Sequence, residues 1–238
     1  QRAHIARISA LILAFVVAAL AGGASIVLPV DRLALTLAAL IVLLPGFSLT
    51  VALAELSTGH LSAGAARLSG VAVTFLHLSV GAAAGWALFG AGLPAEPPTP
   101  WIFEPVIIVA SAASLAILFQ ARFQDFGVII VSAALAVYVS RAVSLMADPT
   151  VGAFGASLLL TLYSNIQARQ RDVPASIAQM PGILLLVPGS VGFRGVGALM
   201  QNETLTGVHI AFTTIITAAA LVAGMLIANA LYPARREL

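Results

Sequence analysis

Two Pro-Gly pairs, Pro45-Gly46 and Pro188-Gly189, each interrupt a long apolar run. A proline removes one i to i−4 hydrogen bond and its ring clashes with the preceding turn, while the adjacent glycine lets the backbone leave helical geometry. In lipid, the carbonyls and amides freed at such a break need partners, which a polar substrate or trapped water can supply. Polar residues cluster after both breaks: Ser48 and Glu55 follow the first, Ser190 and Arg194 the second. An arginine at the centre of a lipid-facing helix costs roughly 2.5–3.5 kcal/mol on insertion scales, so Arg194 should face protein or water. His77 lies within an apolar run, where it either relays protons or is a neutral histidine bonded to a neighbouring helix. The four His are far apart and cysteine is absent, so no metal site or cofactor is indicated.

The elements that must position these residues follow from composition. With 61% hydrophobic and 8% charged residues over 238, and a mean hydropathy of +1.07, most side chains must be solvated by lipid. Every basic residue is Arg, and the formal charge of +2 is too small for a nucleic-acid surface. A spanning helix takes about 20 apolar residues, which gives about eight spans, at 8–28, 33–53, 68–92, 101–119, 126–146, 151–166, 176–199 and 206–232. The first of these follows Arg2 and Arg7, but it is too long for a signal peptide and lacks a cleavage site. Alternating the ends places Arg2, Arg7, Arg67, Arg122, Arg169, Arg171, Arg235 and Arg236 on one face and only Arg32, Arg141 and Arg194 on the other. By the positive-inside rule the first face, with both termini of this chain, is cytoplasmic. The predicted fold is therefore an all-α polytopic membrane helix bundle.

Shifting the chain by 143 positions superposes Leu43 on Leu186, Pro45-Gly46 on Pro188-Gly189, Leu56 on Leu199, Gly64 on Gly207, Thr74 on Thr217, Leu78 on Leu221 and Gly81 on Gly224. The second and seventh spans are five apart and so cross the bilayer in opposite directions, which makes the internal repeat inverted. Residues 1–93 form the N-terminal repeat, with three spans of an expected five. Residues 94–100 are a Pro-rich connection, and 101–238 form a C-terminal repeat of five spans. Paired broken helices in an inverted repeat point to the substrate site of a secondary transporter, although proline kinks also occur without function. Gly81 and Gly85 form a GxxxG face for close helix packing.

The stretch from Leu43 through Pro45, Gly46, Ser48, Glu55, Gly59 and Gly64 to Arg67 resembles the N-terminal membrane half of the threonine/serine exporter family. Asn165, Arg169, Pro174 and the run from Pro181 through Pro188-Gly189-Ser190 to Arg194 resemble its C-terminal half. The resemblance implies a ten-span, proton-motive-force-coupled exporter of L-threonine and L-serine in the plasma (inner) membrane, with a cytosolic N-terminal domain. Eight spans here fit a chain lacking that domain and the first two spans, and Glu55 stands where the family usually carries Asp. The implied partners are a small amino acid and the lipid bilayer; a homo-oligomer is compatible with it. A zwitterionic substrate needs donors for its carboxylate, acceptors for its ammonium and a polar corner for its hydroxyl. The backbone around Pro45, Gly46, Pro188 and Gly189, with Ser48 and Ser190, would supply these, unless each serine merely back-bonds to its own helix. Arg194 is then a carboxylate clamp or gate partner, or a snorkelling anchor. Glu55 binds ammonium or a proton, or is a solvated helix end. Asn165 enters through the family pattern. Two rivals remain: a channel or structural membrane protein, and an intramembrane serine protease using Ser157 and His209, which lacks the glycine such an enzyme wants after the serine because Leu158 stands there.

Overall fold

The computed structural model describes residues 2–89, 101–200 and 203–234, and these are almost wholly helical. The α-helices in chain order are α1 (Arg2–Val27), α2 (Arg32–Leu40), α3 (Gly46–Ser57), α4 (Leu61–Trp86), α5 (Glu104–Leu118), α6 (Phe126–Met146), α7 (Pro149–Arg171), α8 (Ser176–Leu186), α9 (Gly189–Met200) and α10 (Thr204–Leu231). Helix starts follow local chemistry. Asp31 accepts the Leu33 N–H at 2.8 Å to cap α2, and Asp148, followed by Pro149 in the first turn, accepts the Thr150 N–H at 2.8 Å to cap α7. That N–H holds the Asp148 carboxyl below its ordinary pKa. Gly59, at φ +86, makes the tight turn between α3 and α4.

The packing is that of a protein solvated by lipid. Alanines such as Ala14, Ala18, Ala82, Ala112, Ala133 and Ala156 are fully buried, whereas Leu20, Ile117 and Phe212 are largely exposed. Lipid tails are as apolar as leucine, so helices associate through small residues that allow close backbone approach, and large apolar side chains can stay outside. Five helical segments among the described residues are long and apolar enough to cross a membrane: Ser9–Val27, Leu61–Trp86, Phe123–Met146, Ser176–Leu199 and Thr204–Leu231.

This differs from the eight expected spans for physical reasons. The 33–53 run is two helices, α2 and α3, neither of which reaches spanning length alone. The 101–119 run yields the 15-residue α5, short for a span. The 151–166 run is part of the 23-residue α7, whose last turns carry Asn165, Gln167, Arg169, Gln170 and Arg171 and lower its hydropathy. The third expected span begins earlier than predicted, at Leu61, so that Arg67 lies within α4; its expected end at residue 92 falls outside the described residues.

By contacts the chain forms two compact units that cut across sequence order. One comprises Gln1–Pro98 with Pro188–Thr214, and the other Thr99–Val187 with Ile215–Leu238. In the first unit, α4 lies against α1, and a Cβ added at Gly81 would collide with the Leu11 carbonyl oxygen, Ala14 Cβ and Phe15 N. In the second, a Cβ at Gly224 would collide with the Phe154 carbonyl oxygen, Ser157 Oγ and Leu158 N. Each contact in the second set lies 143 positions after one in the first. Likewise Gly64 meets Leu56 and the Ala52 carbonyl, and Gly207 meets Leu199 and the Gly195 carbonyl. The local packing thus recurs at the offset seen in sequence, and extends it back to α1 and α7. The GxxxG face packs as expected: Gly85 abuts Phe15, Ala18 and Ala19 of α1.

In the second unit, Ile108, Ala112 and Ala116 of α5 form a seam with Ile129 and Ala133 of α6, and Glu104 pairs with Arg141 at 2.5 Å at one end of it.

Candidate functional site

Both Pro-Gly pairs break helices. The α2 helix ends at Leu40, and five residues separate it from the start of α3 at Gly46, because the Pro45 ring would strike the carbonyl four residues earlier and Pro45 has no N–H to donate. At the second break Val187 is extended, at φ −65 and ψ 129, the conformation favoured before proline, and α9 begins at Gly189. Residue for residue, α3 (46–57) and α9 (189–200) are offset by 143, so both new helices start at the glycine of their pair.

These starts meet. A Cβ built on Gly189 lies 3.3 Å from Gly46 Cα and 3.4 Å from both Gly46 N and Leu44 Cβ. Both glycines are buried, as is Pro188, while Pro45 is half-buried. The first amides of a helix have no intrahelical acceptor, and α3 has no side-chain cap. The i to i−4 pattern begins with Leu49 N–H donating to the Pro45 carbonyl at 2.9 Å and Gly192 N–H to the Pro188 carbonyl at 2.9 Å. Two helix N-termini, each carrying about half a positive charge, repel by on the order of 1 kcal/mol at an effective dielectric near 20. An anion placed between them reverses that sign.

Ser48 is half-buried and lines an open cleft of about 450 Å³ with Pro45, Ala66, Arg67, Ser69, Gly70, Val71, Val73 and Thr74. Ser69 and Thr74 donate their hydroxyl protons to carbonyls of their own helix, at 2.9 Å each. Their remaining lone pairs stay available as acceptors. At the edge of the cleft Arg67 forks onto Glu55, with Nη2 to Oε1 at 2.7 Å and Nε to Oε2 at 3.1 Å, tying the end of α3 to α4. Glu55 lies nine residues along α3 from Gly46, about 13 Å of helix, so it is at the far end of that helix from the break. On α9, Ser190 and Arg194 are exposed.

Eight of the nine candidate residues therefore belong to the first unit, and Pro45, Gly46, Pro188 and Gly189 come together there. Asn165 belongs to the second unit and is 1% exposed. Its Nδ2 donates to Asn229 Oδ1 at 2.8 Å and to the Tyr232 carbonyl at 2.7 Å. Nearby, Arg169 stacks over the Tyr232 ring at 4.0 Å and donates to the Pro233 carbonyl at 2.6 and 2.9 Å. This network satisfies carbonyls at the C-terminal end of α10.

In the sequence Arg67 figured as a charge on one face and as the end of the first family-like stretch, with no partner assigned to it. Its place twelve residues after Glu55, across a Gly-containing turn, was the signal that the two could pair. Asp125 was assigned to a connection, yet its carboxyl is buried and lies 3.7 Å from Arg171; no sequence feature marked it. Half-buried His77 stands on α4. Among the described residues, no group of three or more His, Cys, Asp or Glu could hold a metal. The Ser157 hydroxyl donates to the Phe154 carbonyl of its own helix at 2.9 Å, a packing role beside Gly224.

Comparison with known proteins gives two family matches that together cover most of the chain. Residues 105–231 match the family model described as Threonine/Serine exporter, ThrE, and residues 1–89 match a second threonine/serine exporter model. No curated protein and no solved structure matches.

Proposed function

Because the chain belongs to the threonine/serine exporter family, a family of multi-pass membrane exporters and not of enzymes, we propose that it carries L-threonine and L-serine out of the cell across the inner (plasma) membrane. The meeting of the two helix starts at Gly46 and Gly189 carries this reading. There the substrate carboxylate accepts amide hydrogens from both N-termini, each interaction being worth up to about 2 kcal/mol in a partly buried setting. The ammonium group is taken by carbonyls freed in residues 41–44, ahead of the Pro45 carbonyl that accepts the Leu49 N–H, and Ser48 and Ser190 complete the shell from the two helices. Catalysed exchange proceeds by alternating access, with the two broken helices opposed in an inverted repeat.

The cleft beside Ser48 is the inward path, and the Arg67–Glu55 pair is its bolt. A proton or the substrate ammonium competes with Arg67 for Glu55, which couples opening to the proton motive force. Arg194 attracts the carboxylate on the outward path, and Asn165 acts from the second unit by fixing the end of α10 against α7. Both termini of the chain face the cytoplasm, as the arginine distribution favours.

Counterflow in proteoliposomes tests the proposal. Vesicles loaded with unlabelled threonine should transiently accumulate labelled threonine or serine with saturable kinetics, and unrelated solutes should not compete. Unsaturable flux would mark a channel, and no flux with any hydroxy amino acid would remove the substrate assignment.

A further inference from the structure

Ser79 has the single buried side-chain oxygen or nitrogen without a hydrogen-bond partner among the described residues. It is 3% exposed, on α4. An unpaired buried hydroxyl is costly, and in a helix its default remedy is to donate to the carbonyl four residues earlier. Ser69 and Thr74 of the same helix do so. Ser79 does not.

Its neighbours on the helix fix the direction in which it looks. Residues four and seven apart share a helix face. Phe75, four residues earlier, meets Gly192 near the start of α9, with its Cζ 2.8 Å from a Cβ built there. Trp86, seven residues later, donates its indole N–H to Thr36 Oγ1 of α2 at 3.2 Å. Ser79 therefore faces the sector between α9 and α2. The pairings Gly64 with Leu56 and Trp86 with Thr36 run in opposite chain directions, so α4 is antiparallel to α2 and α3. Ser79 then falls level with the stretch between them, the interrupted segment just before Pro45. At the equivalent position of the second repeat stands Val222, buried at 2% exposure. The fold accepts an apolar side chain there, and only the first repeat carries a hydroxyl.

We infer that Ser79 is a specificity-determining residue whose hydroxyl pairs with the side-chain hydroxyl of the transported amino acid. This rests on the transport reading above. The helix starts serve the carboxylate and the freed carbonyls serve the ammonium, so a neutral group that both donates and accepts matches the remaining hydroxyl of the substrate. A site built to bond a hydroxyl also rejects the analogue that lacks one, because its own polar group is then left unpaired.

The test compares competition by threonine and by 2-aminobutyrate, which is threonine without its hydroxyl, against labelled threonine counterflow. The same comparison is made for serine and alanine. The unmodified protein should prefer the hydroxylated member of each pair. Ser79→Ala and Ser79→Val, the residue of the other repeat, should reduce that preference about tenfold by weakening the hydroxylated substrate alone, and Ser79→Thr should keep it. Both apolar variants should remain folded, with an unchanged or raised melting temperature, since they remove an unpaired hydroxyl. Preference that survives both would overturn the role of Ser79 and leave the transport reading standing. An unmodified protein that does not distinguish threonine from 2-aminobutyrate would refute the hydroxy amino acid assignment itself.

Discussion

Gly189→Leu should reduce threonine counterflow by at least about a hundredfold while the protein still purifies as a single folded species. The start of α9 sits so close to the start of α3 that even a methyl group at position 189 would lie 3.3 Å from Gly46 Cα. A leucine fills the space between the two sets of N-terminal amides, where the proposed carboxylate sits, and displacement of a bound group by about 1 Å already costs on the order of a hundredfold in rate. Gly189 does not occupy the positive-φ region, so an L residue meets no backbone strain and the effect is steric. Gly189→Ala should give an intermediate loss, because its neighbours need yield only a few tenths of an ångström. Gly127→Leu, on α6 with nothing within 4 Å of the added Cβ, is the control and should transport normally. Initial counterflow rates, with thermal unfolding in detergent as the check on folding, measure all three. Full transport by Gly189→Leu would mean that substrate does not pass between the helix starts.

The second large effect concerns the bolt. Arg67→Glu sets a carboxylate against Glu55 where the guanidinium now forks onto it at 2.7 and 3.1 Å. Repulsion should hold the end of α3 away from α4 and cut counterflow by more than about thirtyfold, and the exchanged pair Glu55→Arg with Arg67→Glu should recover most of it. An exposed ion pair with no gating role shifts an equilibrium by about fivefold at most, so the size of the loss separates the two roles. Glu55→Gln should keep exchange of threonine but no longer respond to an imposed pH gradient, since the amide cannot carry a proton. Gradient-driven accumulation by Glu55→Gln would place proton coupling elsewhere.

The helical membrane class and both breaks were legible because each rests on local chemistry: the apolar length of the runs, and a proline without an N–H followed by glycine. The offset of 143 was also legible, since Pro45, Gly46, Gly64 and Gly81 recur at Pro188, Gly189, Gly207 and Gly224. Its reach into α1 and α7 was not. There the repeat is carried by contacts, Leu11, Ala14 and Phe15 against Gly81 matching Phe154, Ser157 and Leu158 against Gly224, with different residue types doing the same packing. Span counting took 33–53 as one span interrupted at Pro45-Gly46, because hydropathy alone does not show that its two pieces, α2 and α3, are each too short to cross by themselves. Tertiary placement was hidden as well. No periodicity indicates that Pro188–Thr214 packs with the first 98 residues, that Asn165 is engaged by Asn229 and the Tyr232 carbonyl, or that Ser79, outwardly an ordinary helix serine, has no partner.

Opposed movement of the two breaks is the centre of the proposed mechanism, and the absence of native cysteine makes it directly measurable. With Ser48→Cys or Ser190→Cys as the only thiol, a membrane-impermeant maleimide should reach position 48 mainly from the cytoplasmic side, through the cleft, and position 190 mainly from outside. Adding threonine should raise labelling at one position and lower it at the other. Labelling of both from the same side would contradict the inverted arrangement, and labelling indifferent to threonine at both would reduce the Pro-Gly pairs to structural kinks.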